Sequence, residues 1–311
     1  MSICVALAFC LLPAACGSAA GAPYTTERVT WTNGDVRLAG TLYLPESGAK
    51  VPAAILLHGS GQMGRLTNAG NRVLYNHAEW LASHGVAVLF YDKRGVGEST
   101  GEFRQAGFDV LAGDAGGGLA LLRAHPRIDP ARIGTVGVSQ GAWIATQLVE
   151  RGEALAFHVL VSGGAPVTPA EQEVFVQANQ LRRAGLADAD VADALATLQI
   201  AFAAYRADTD AAWQALDASR AKLSQRPWWA KTPLPVAART DGWWRWYRSF
   251  MDYDPRPTLA KTAAPIFAAY GDADPLFDIA KMRGEWDTLR AAGVDVTLRV
   301  YPGVGHGLRK G

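Results

Sequence analysis

The sequence predicts an α/β protein with a mainly parallel central sheet, helices on both faces, and a helical cap inserted between late strands. Short apolar runs of strand length alternate with segments of helical periodicity, the order typical of β-α-β units. These strands are almost continuously apolar, as expected where helices cover both faces of a parallel sheet. The long segment 166–257 has no strand-like run, so it is predicted to be the helical cap.

The predicted elements follow in order along the chain. Two strands, 27–31 and 36–44, meet at Asn33-Gly34-Asp35, which is a hairpin turn signal. Further strands are predicted at 53–57, 86–91, 132–138, 157–161, 266–270 and 296–301. Helices are predicted at 72–84, 108–125, 142–151 and 279–292.

The chain is predicted to divide into a core, formed by residues 23–165 and 258–311, and a cap at 166–257. Within the cap, Thr168-Pro169-Ala170-Glu171 is typical of a capping box, and Asp188 and Asp208 are candidate N-caps. Six of the ten tryptophans lie in the cap: Trp213, Trp228, Trp229, Trp243, Trp244 and Trp246. They either pack the cap on the core or line an apolar pocket, and Trp243 and Trp244 are the candidates for substrate contact.

Composition excludes several classes of protein. The 30 Lys and Arg residues balance 29 Asp and Glu residues, so there is no basic surplus for binding nucleic acid. A hydrophobic content of 49% is too high for a disordered chain. Cysteine occurs only at Cys4, Cys10 and Cys16, so the rest of the chain offers no thiolate metal site. No metal and no cofactor are expected.

Residues 1–22 are predicted to be an export signal. The apolar run 3–15 is short for a lasting membrane span and is followed by small residues. Residues 12–16, Leu-Pro-Ala-Ala-Cys, resemble a bacterial lipobox, in which Cys16 would receive the lipid. A plain secretory signal cleaved near Ala20 and a misassigned start are the alternatives. The expected location is the bacterial cell envelope, lipid-anchored or periplasmic or secreted, with membrane contact only through this anchor.

A serine nucleophile is predicted at Ser139. It lies in Gly137-Val138-Ser139-Gln140-Gly141, a G-x-S-x-G motif between a predicted strand and a predicted helix. The glycines allow a sharp turn that exposes the serine hydroxyl at its tip. The alternative interpretation is a tight turn with an idle serine.

A serine hydroxyl needs a base, and His306 is the best candidate among six histidines. It follows the last predicted strand in a glycine-rich loop, at the sheet edge where catalytic groups gather. The base needs an orienting carboxylate, and Asp272 and Asp274 compete for this role after the strand 266–270. His77, His84, His125 and His158 are expected to be structural or exposed.

The oxyanion of a tetrahedral intermediate needs two backbone donors. The amide of Gln140, directly after the nucleophile, is one candidate. The loop after the strand 53–57, His58-Gly59-Ser60-Gly61, supplies the other, and the amide of Ser60 is the candidate there. His58 is expected to hold this loop in place.

Four blocks together resemble the α/β-hydrolase superfamily. They are residues 58–61, the Asp92–Ser99 block (Asp-Lys-Arg-Gly-Val-Gly-Glu-Ser), the Ser139 turn, and the pair of Asp274 and His306. The Asp92–Ser99 block is similar to that of serine aminopeptidase and prolyl-oligopeptidase-like hydrolases, many of which are esterases. The resemblance implies the α/β-hydrolase fold and a G-x-x-D pattern that selects Asp274. It also implies a structural role for the Asp92–Ser99 block, in which Asp92 and Arg94 are expected to pair with each other.

The favoured function is a serine hydrolase that cleaves carboxylic esters through a Ser-His-Asp triad and an acyl-enzyme. A peptidase or amidase of the same fold is the first alternative, for which Glu171 and Glu173 are candidate anchors by position. A non-catalytic envelope-binding lipoprotein is the second. The expected partner is a small ester or peptide substrate.

Overall fold

The computed structural model describes residues 21–65, 71–232 and 234–310, so Cys16 and all but the last two residues of the predicted export signal (1–22) lie outside the described residues. Eight strands in these residues form a single sheet in the order β1-β2-β4-β3-β5-β6-β7-β8. Their bounds are β1 Tyr24–Asn33, β2 Val36–Pro45, β3 Val51–Leu57, β4 Ala87–Tyr91, β5 Ile128–Val138, β6 His158–Val161, β7 Ile266–Gly271 and β8 Val296–Tyr301. Each predicted strand is therefore present.

The sheet is parallel except at one edge. The hairpin of β1 and β2 turns at Gly34, whose positive φ suits glycine, and β2 pairs antiparallel with β4. The other five pairings are parallel, from β3 with β4 to β7 with β8. The carboxyl ends of β3 to β8 consequently share one edge, where loops can bring distant residues together.

Helices cover both faces of this sheet, as predicted. The helices outside the cap are α1 Asn71–Ser83, α2 Phe108–Ala124, α3 Gln140–Glu150 and α9 Ile279–Ala291. Leu81 of α1 packs with Leu56 on one face, whereas Leu119 of α2 and Leu148 of α3 pack with Ile55 on the other. Neighbouring residues of β3 thus enter opposite layers, which explains its continuous apolar run.

The glycine run in the middle of α2 allows the helix to lie close to the sheet. A Cβ atom at Gly117 would lie 2.5 Å from Cδ1 of Trp31, and one at Gly118 would lie 2.9 Å from Cδ2 of Leu89. The indole nitrogen of Trp31 donates a hydrogen bond to the carbonyl of Asp114 in the same helix. Close packing therefore offsets the low helix propensity of glycine.

No strand lies between β6 and β7 in the described part of the chain, where the α-helices are α4 Pro169–Arg183, α5 Asp188–Ala207, α6 Asp210–Leu223, α7 Trp243–Arg248 and α8 Arg256–Leu259. Thr168 and Glu171 form the predicted capping box of α4. The N-cap predictions for Asp188 and Asp208 are wrong. Asp188 is the first residue of α5, whose N-cap is Ala187, and Asp208 ends α5 in a left-handed conformation while Thr209 caps α6. The division into core and cap domains stays a prediction.

None of the helices in the described part of the chain is both long enough and apolar enough to span a membrane.

Candidate active site

Ser139 lies at a strained turn between β5 and α3. Its φ of 53° and ψ of −116° are unusual for a residue with a side chain, and such strain is stored at functional sites. The turn is tight enough to require the flanking glycines. A Cβ at Gly137 would lie 2.6 Å from the carbonyl oxygen of Gly141, and one at Gly141 would lie 2.2 Å from the carbonyl oxygen of Leu57. The motif therefore has the local structure that its sequence predicts.

Asp274 and His306 are hydrogen-bonded to each other. Nδ1 of His306 lies 2.9 Å from Oδ2 and 3.2 Å from Oδ1 of Asp274, whose side chain has no solvent exposure. The imidazole also stacks on the ring of Phe277 at a centroid distance of 6.0 Å. A carboxylate held on Nδ1 leaves Nε2 of His306 as the nitrogen that can accept a proton.

Asp272, the competing carboxylate, stabilises the loops after two strands instead. Its Oδ1 accepts a hydrogen bond of 2.8 Å from the backbone amide of Gly303. It thereby joins the loops after β7 and β8.

Ser162 connects the loop of His306 to the segment beside Ser139. Its hydroxyl accepts a hydrogen bond of 3.0 Å from the amide of Gly307, next to His306. On the other side, the amide of Ser139 donates to the carbonyl of Val161, and the amide of Gly164 donates to the carbonyl of Ser139. The loops carrying Ser139 and His306 thus border the same short segment, and the hydrogen bond from the Ser139 hydroxyl to Nε2 of His306 stays a prediction.

The two predicted oxyanion donors face one cavity. A Cβ on Gly59 would lie 3.5 Å from Cβ of Ser139, so the Ser60 loop packs directly against the nucleophile. Gln140 is the first residue of α3, and the amides of a first helical turn have no acceptor within the helix. Ser60 and Gln140 both line the cavity, and the use of their amides as oxyanion donors stays a prediction.

This cavity, of about 260 Å³, is mainly aromatic. Besides Ser60 and Gln140 it is lined by Phe108, Trp143, Pro169, Gln172, Glu173, Leu198, Phe202, Tyr205, Pro235, Trp243, Trp246, Tyr247 and Phe250. Core helices α2 and α3 supply one wall, and the segment 169–250 supplies the rest. Its volume is near the lower end of the range of about 300–1,000 Å³ that small-molecule sites occupy, so it fits a small substrate group.

The two predicted substrate tryptophans have different surroundings. Trp243 lines the cavity and is 41% exposed. Trp244 is fully buried, donates its indole hydrogen bond to the carbonyl of Arg239, and packs edge-on against Trp213 at 5.0 Å. Its role is therefore packing between cap helices rather than contact with a substrate.

Glu173 is the one carboxylate among the described residues that line the cavity, whereas Glu171 faces away into ion pairs with Arg256 and Lys281. Burial raises the pKa of Glu173, and a hydrogen bond of 2.8 Å from Gln177 opposes part of that rise.

The Asp92–Ser99 block has a structural role, but the predicted pairing of Asp92 with Arg94 is wrong. Asp92 instead forms a buried ion pair of 3.0 Å with Arg65, and Arg94 pairs with Asp114 of α2. Burial alone would raise the pKa of Asp92, yet hydrogen bonds from Arg65 and from backbone amides lower it overall.

The other histidines have structural surroundings. His58 is buried, and its Nε2 lies 2.5 Å from the carbonyl oxygen of Tyr91, so it ties the Ser60 loop to β4. Burial lowers the pKa of His58 to about 3, which keeps it neutral. His158 is buried beside Thr135, and His84 stacks on Trp80 at the surface. In the part of the chain that the structure describes, no group of three His, Cys, Asp or Glu side chains could hold a metal ion.

Sequence reasoning missed two residues of the site, Lys93 and Ser162. Lys93 is buried with its Nζ 2.6 Å from the carbonyl oxygen of Gly59. Both residues directly follow the carboxyl ends of strands, at the edge where Ser139, Asp274 and His306 also lie. Their position after these strands was the feature of the sequence that could have identified them.

Comparison with known proteins agrees with this geometry. The family model of the X-Pro dipeptidyl-peptidase (S15 family) matches residues 33–305. The esterase EstD of Thermotoga maritima is 29% identical over 151 residues, which are 48% of this chain and 35% of EstD. Acyl-coenzyme A thioesterase 6 of Mus musculus is 32% identical over 109 residues, which are 34% of this chain and 22% of the thioesterase. The matched segments thus span less than half the length of these curated relatives.

Solved structures show the fold. An esterase of Pyrococcus furiosus superposes with a TM-score of 0.56 at 18% identity, covering 92% of this chain and 84% of the esterase. The acylaminoacyl peptidase of Pyrococcus horikoshii has a TM-score of 0.58 at 15% identity, covering 91% of this chain and 38% of the peptidase. With a family model matched over residues 33–305, this chain belongs to the X-Pro dipeptidyl-peptidase (S15) family of the α/β-hydrolase superfamily.

Proposed function

We propose that the protein is a serine hydrolase that cleaves carboxylic esters through an acyl-enzyme. The observation that carries the proposal is the buried Asp274 carboxylate 2.9 Å from Nδ1 of His306, at the same sheet edge as the strained Ser139. A carboxylate, an imidazole and a hydroxyl placed in this order can pass a proton away from the hydroxyl as it attacks a carbonyl. The esterase relative and the esterase structure support an ester as the substrate.

In the proposed reaction, Oγ of Ser139 attacks the ester carbonyl while Nε2 of His306 takes its proton. Asp274 holds the imidazole in the correct tautomer and stabilises the imidazolium that forms. The amides of Gln140 and Ser60 stabilise the oxyanion. His306 returns the proton to the leaving alcohol, and a water activated by the same nitrogen then hydrolyses the acyl group from Ser139.

Hydrolysis of short p-nitrophenyl esters tests this proposal. Ser139→Ala should lower kcat by about 10⁴-fold or more, because the nucleophile is removed. Ser224→Ala is the matched control, since Ser224 is exposed and bonds only within its own helix end. A fluorophosphonate probe should label the wild-type protein and Ser224→Ala but not Ser139→Ala. Equal ester turnover by Ser139→Ala and the wild-type protein would refute the proposal.

The second candidate function is hydrolysis of an amide or peptide that carries a free amino group. Glu173 favours it, because a carboxylate surrounded by aromatic rings attracts an ammonium group. The S15 family model supports the same candidate.

A panel of aminoacyl p-nitroanilides and uncharged p-nitrophenyl esters separates these two functions. If the peptide function is correct, Glu173→Gln should raise KM for the aminoacyl substrates about tenfold and leave the uncharged esters unchanged. Glu171→Gln is the matched control, because glutamine at that position preserves the capping box. If every variant instead turned over the uncharged esters faster than the aminoacyl substrates, the ester function would be assigned.

We also propose that the protein is exported to a bacterial cell envelope and anchored through a lipid on Cys16. Residues 12–16 support this proposal. Cys16→Ser should release the protein from the membrane fraction of expressing cells, and incorporation of labelled palmitate should disappear. If fluorophosphonate also failed to label the folded wild-type protein, a non-catalytic binding lipoprotein would be the function instead.

A further inference from the structure

Lys93 has a buried ammonium group whose hydrogen bonds to the described residues go to the segments that carry the two oxyanion amides. Its Nζ donates to the carbonyl oxygen of Gly59 at 2.6 Å, the carbonyl oxygen of Gly61 at 3.2 Å and Oε1 of Gln140 at 2.8 Å. These are three uncharged acceptors for the three protons of one ammonium group. The ring of Phe103 lies 5.1 Å away and adds a cation–π contact.

The bond to Gly59 fixes the direction of the Ser60 amide. The carbonyl of Gly59 and the N–H of Ser60 belong to one planar peptide group, in which they point in opposite directions. A carbonyl drawn toward Nζ of Lys93 therefore turns the N–H away from it. Ser60 lines the cavity, so this N–H is oriented for a substrate oxygen, and polarisation of its carbonyl by a cation makes it a stronger donor.

The bond to Gln140 connects the second donor to the first. Gln140 begins α3 directly after Ser139, whereas the Ser60 loop follows β3, and the two segments are far apart in sequence. One ammonium group held by both of them limits how far the two amides can move relative to each other. A donor that is misplaced by about 1 Å stabilises a transition state far less well.

We propose that Lys93 is a positioning residue for the oxyanion site, which sets the direction of the Ser60 amide and its spacing from the Gln140 amide. The inference rests on the proposed acyl-transfer function. Lys93 touches no reacting atom in this scheme and acts through the peptide groups that it holds. Its ammonium also places a positive charge behind the site where the oxyanion forms. Burial lowers the pKa of Lys93 to about 7, so this positive charge is fully present only well below that pH.

The test compares Lys93→Met with the wild-type protein on a p-nitrophenyl ester. The oxyanion exists only after attack, so kcat should fall about 10- to 100-fold while KM stays within about twofold. Affinity for an alkylboronic acid, which forms a tetrahedral adduct on the serine, should fall by a similar factor. Lys222→Met, on the exposed surface of α6, is the matched control and should change neither value.

A second variant, Gln140→Leu, removes one acceptor and keeps the Gln140 amide. It should lower kcat by a smaller factor than Lys93→Met, and the double variant should be no worse than Lys93→Met alone. This result would support the inference even if Lys93→Met were less stable, provided that a thermal melt shows both variants folded at the assay temperature. If Lys93→Met cannot be obtained folded, a wild-type kcat for Gln140→Leu overturns the inference.

Two outcomes overturn the role of Lys93 alone. One is a folded Lys93→Met protein with wild-type kcat and boronic acid affinity. The other is a loss that appears in KM rather than in kcat, because positioning of an oxyanion donor does not act on the ground state. A wild-type protein that neither hydrolyses esters nor reacts with fluorophosphonate would instead overturn the proposed function, and the inference with it.

Discussion

Replacing Asp274 by asparagine separates the orienting role of this carboxylate from its place in the fold. Oδ1 of Asp274 accepts a hydrogen bond of 2.9 Å from the amide of Leu276, while Oδ2 lies 2.9 Å from Nδ1 of His306. Asparagine can keep the first bond through its carbonyl oxygen. Its NH₂ group then faces Nδ1 of His306, which must become an acceptor. The proton of the imidazole moves to Nε2, so His306 can no longer take a proton from Ser139.

The expected loss in kcat is about 10³- to 10⁴-fold, which corresponds to about 4–5.5 kcal/mol of transition-state stabilisation. The large value follows from the burial of the Asp274 side chain, since no water can replace a carboxylate that solvent does not reach. KM should change little, because the substrate does not contact Asp274. The assay is steady-state hydrolysis of a p-nitrophenyl ester, with a thermal melt to show that the fold is retained.

Asp272→Asn is the matched control, because it makes the same chemical change two residues away. Asp272 bonds the amide of Gly303, and an asparagine oxygen can accept the same bond. We expect its kcat to stay within a few-fold of the wild-type value. If Asp274→Asn retained activity within tenfold, or if Asp272→Asn lost as much, the assignment of the orienting carboxylate would be wrong.

Three further predictions concern the surroundings of the site. Ser162→Ala should cost about 1 kcal/mol in the free energy of unfolding and lower kcat about tenfold, because the amide beside His306 loses its acceptor; urea unfolding and ester kinetics measure the two effects. Trp244 is buried, so Trp244→Ala should destabilise the protein by about 3–5 kcal/mol. Trp243 is half-exposed and lines the cavity, so Trp243→Ala should change the preference for ester chain length with little loss of stability. The reverse pattern would contradict the assignment of the cavity wall. Burial lowers the pKa of His158 to about 4, so between about pH 6.5 and pH 4 the unfolded state binds a proton that the folded state does not. The free energy of unfolding of the wild-type protein should therefore fall over this pH range by about 3 kcal/mol more than that of His158→Gln. Parallel urea titrations of both proteins at pH 7 and pH 4 test this.

The sequence was sufficient to predict the strands of the sheet and the local structure around Ser139. Apolar periodicity located each strand, and the glycines of the motif around Ser139 indicated the tight turn that the structure shows there. The predicted helix at 142–151 begins two residues earlier, at Gln140, because the turn leads directly into it. The sequence did not show why α2 carries glycines in its middle, whereas the packing of this helix against Trp31 explains them.

Residues that act through long-range contacts could not be identified from sequence. Ser162 resembles any serine after a strand until the amide of Gly307, far along the chain, is found on its hydroxyl. Trp243 and Trp244 of α7 are adjacent and chemically identical. Only the packing of the other cap helices buries Trp244 and places Trp243 in the wall of the cavity. Nor could sequence assign a partner to Asp92, because the distant Arg65 and the nearby Arg94 are equally suitable by charge.

Three consecutive charged residues at the start of the Asp92–Ser99 block follow β4, and their contacts explain why they are charged. Asp92 holds Arg65, Lys93 holds the Ser60 loop and Gln140, and Arg94 holds Asp114 of α2, so together the three side chains connect β4 to the segment after β3, to α3 and to α2. Burying ions carries a desolvation cost that their pairing roughly offsets, so these contacts contribute little net stability. Apolar residues of similar size could have filled the same space, but they could not have directed individual carbonyls and amides. The charges in this block are therefore best explained by the geometry that they impose on the catalytic edge of the sheet.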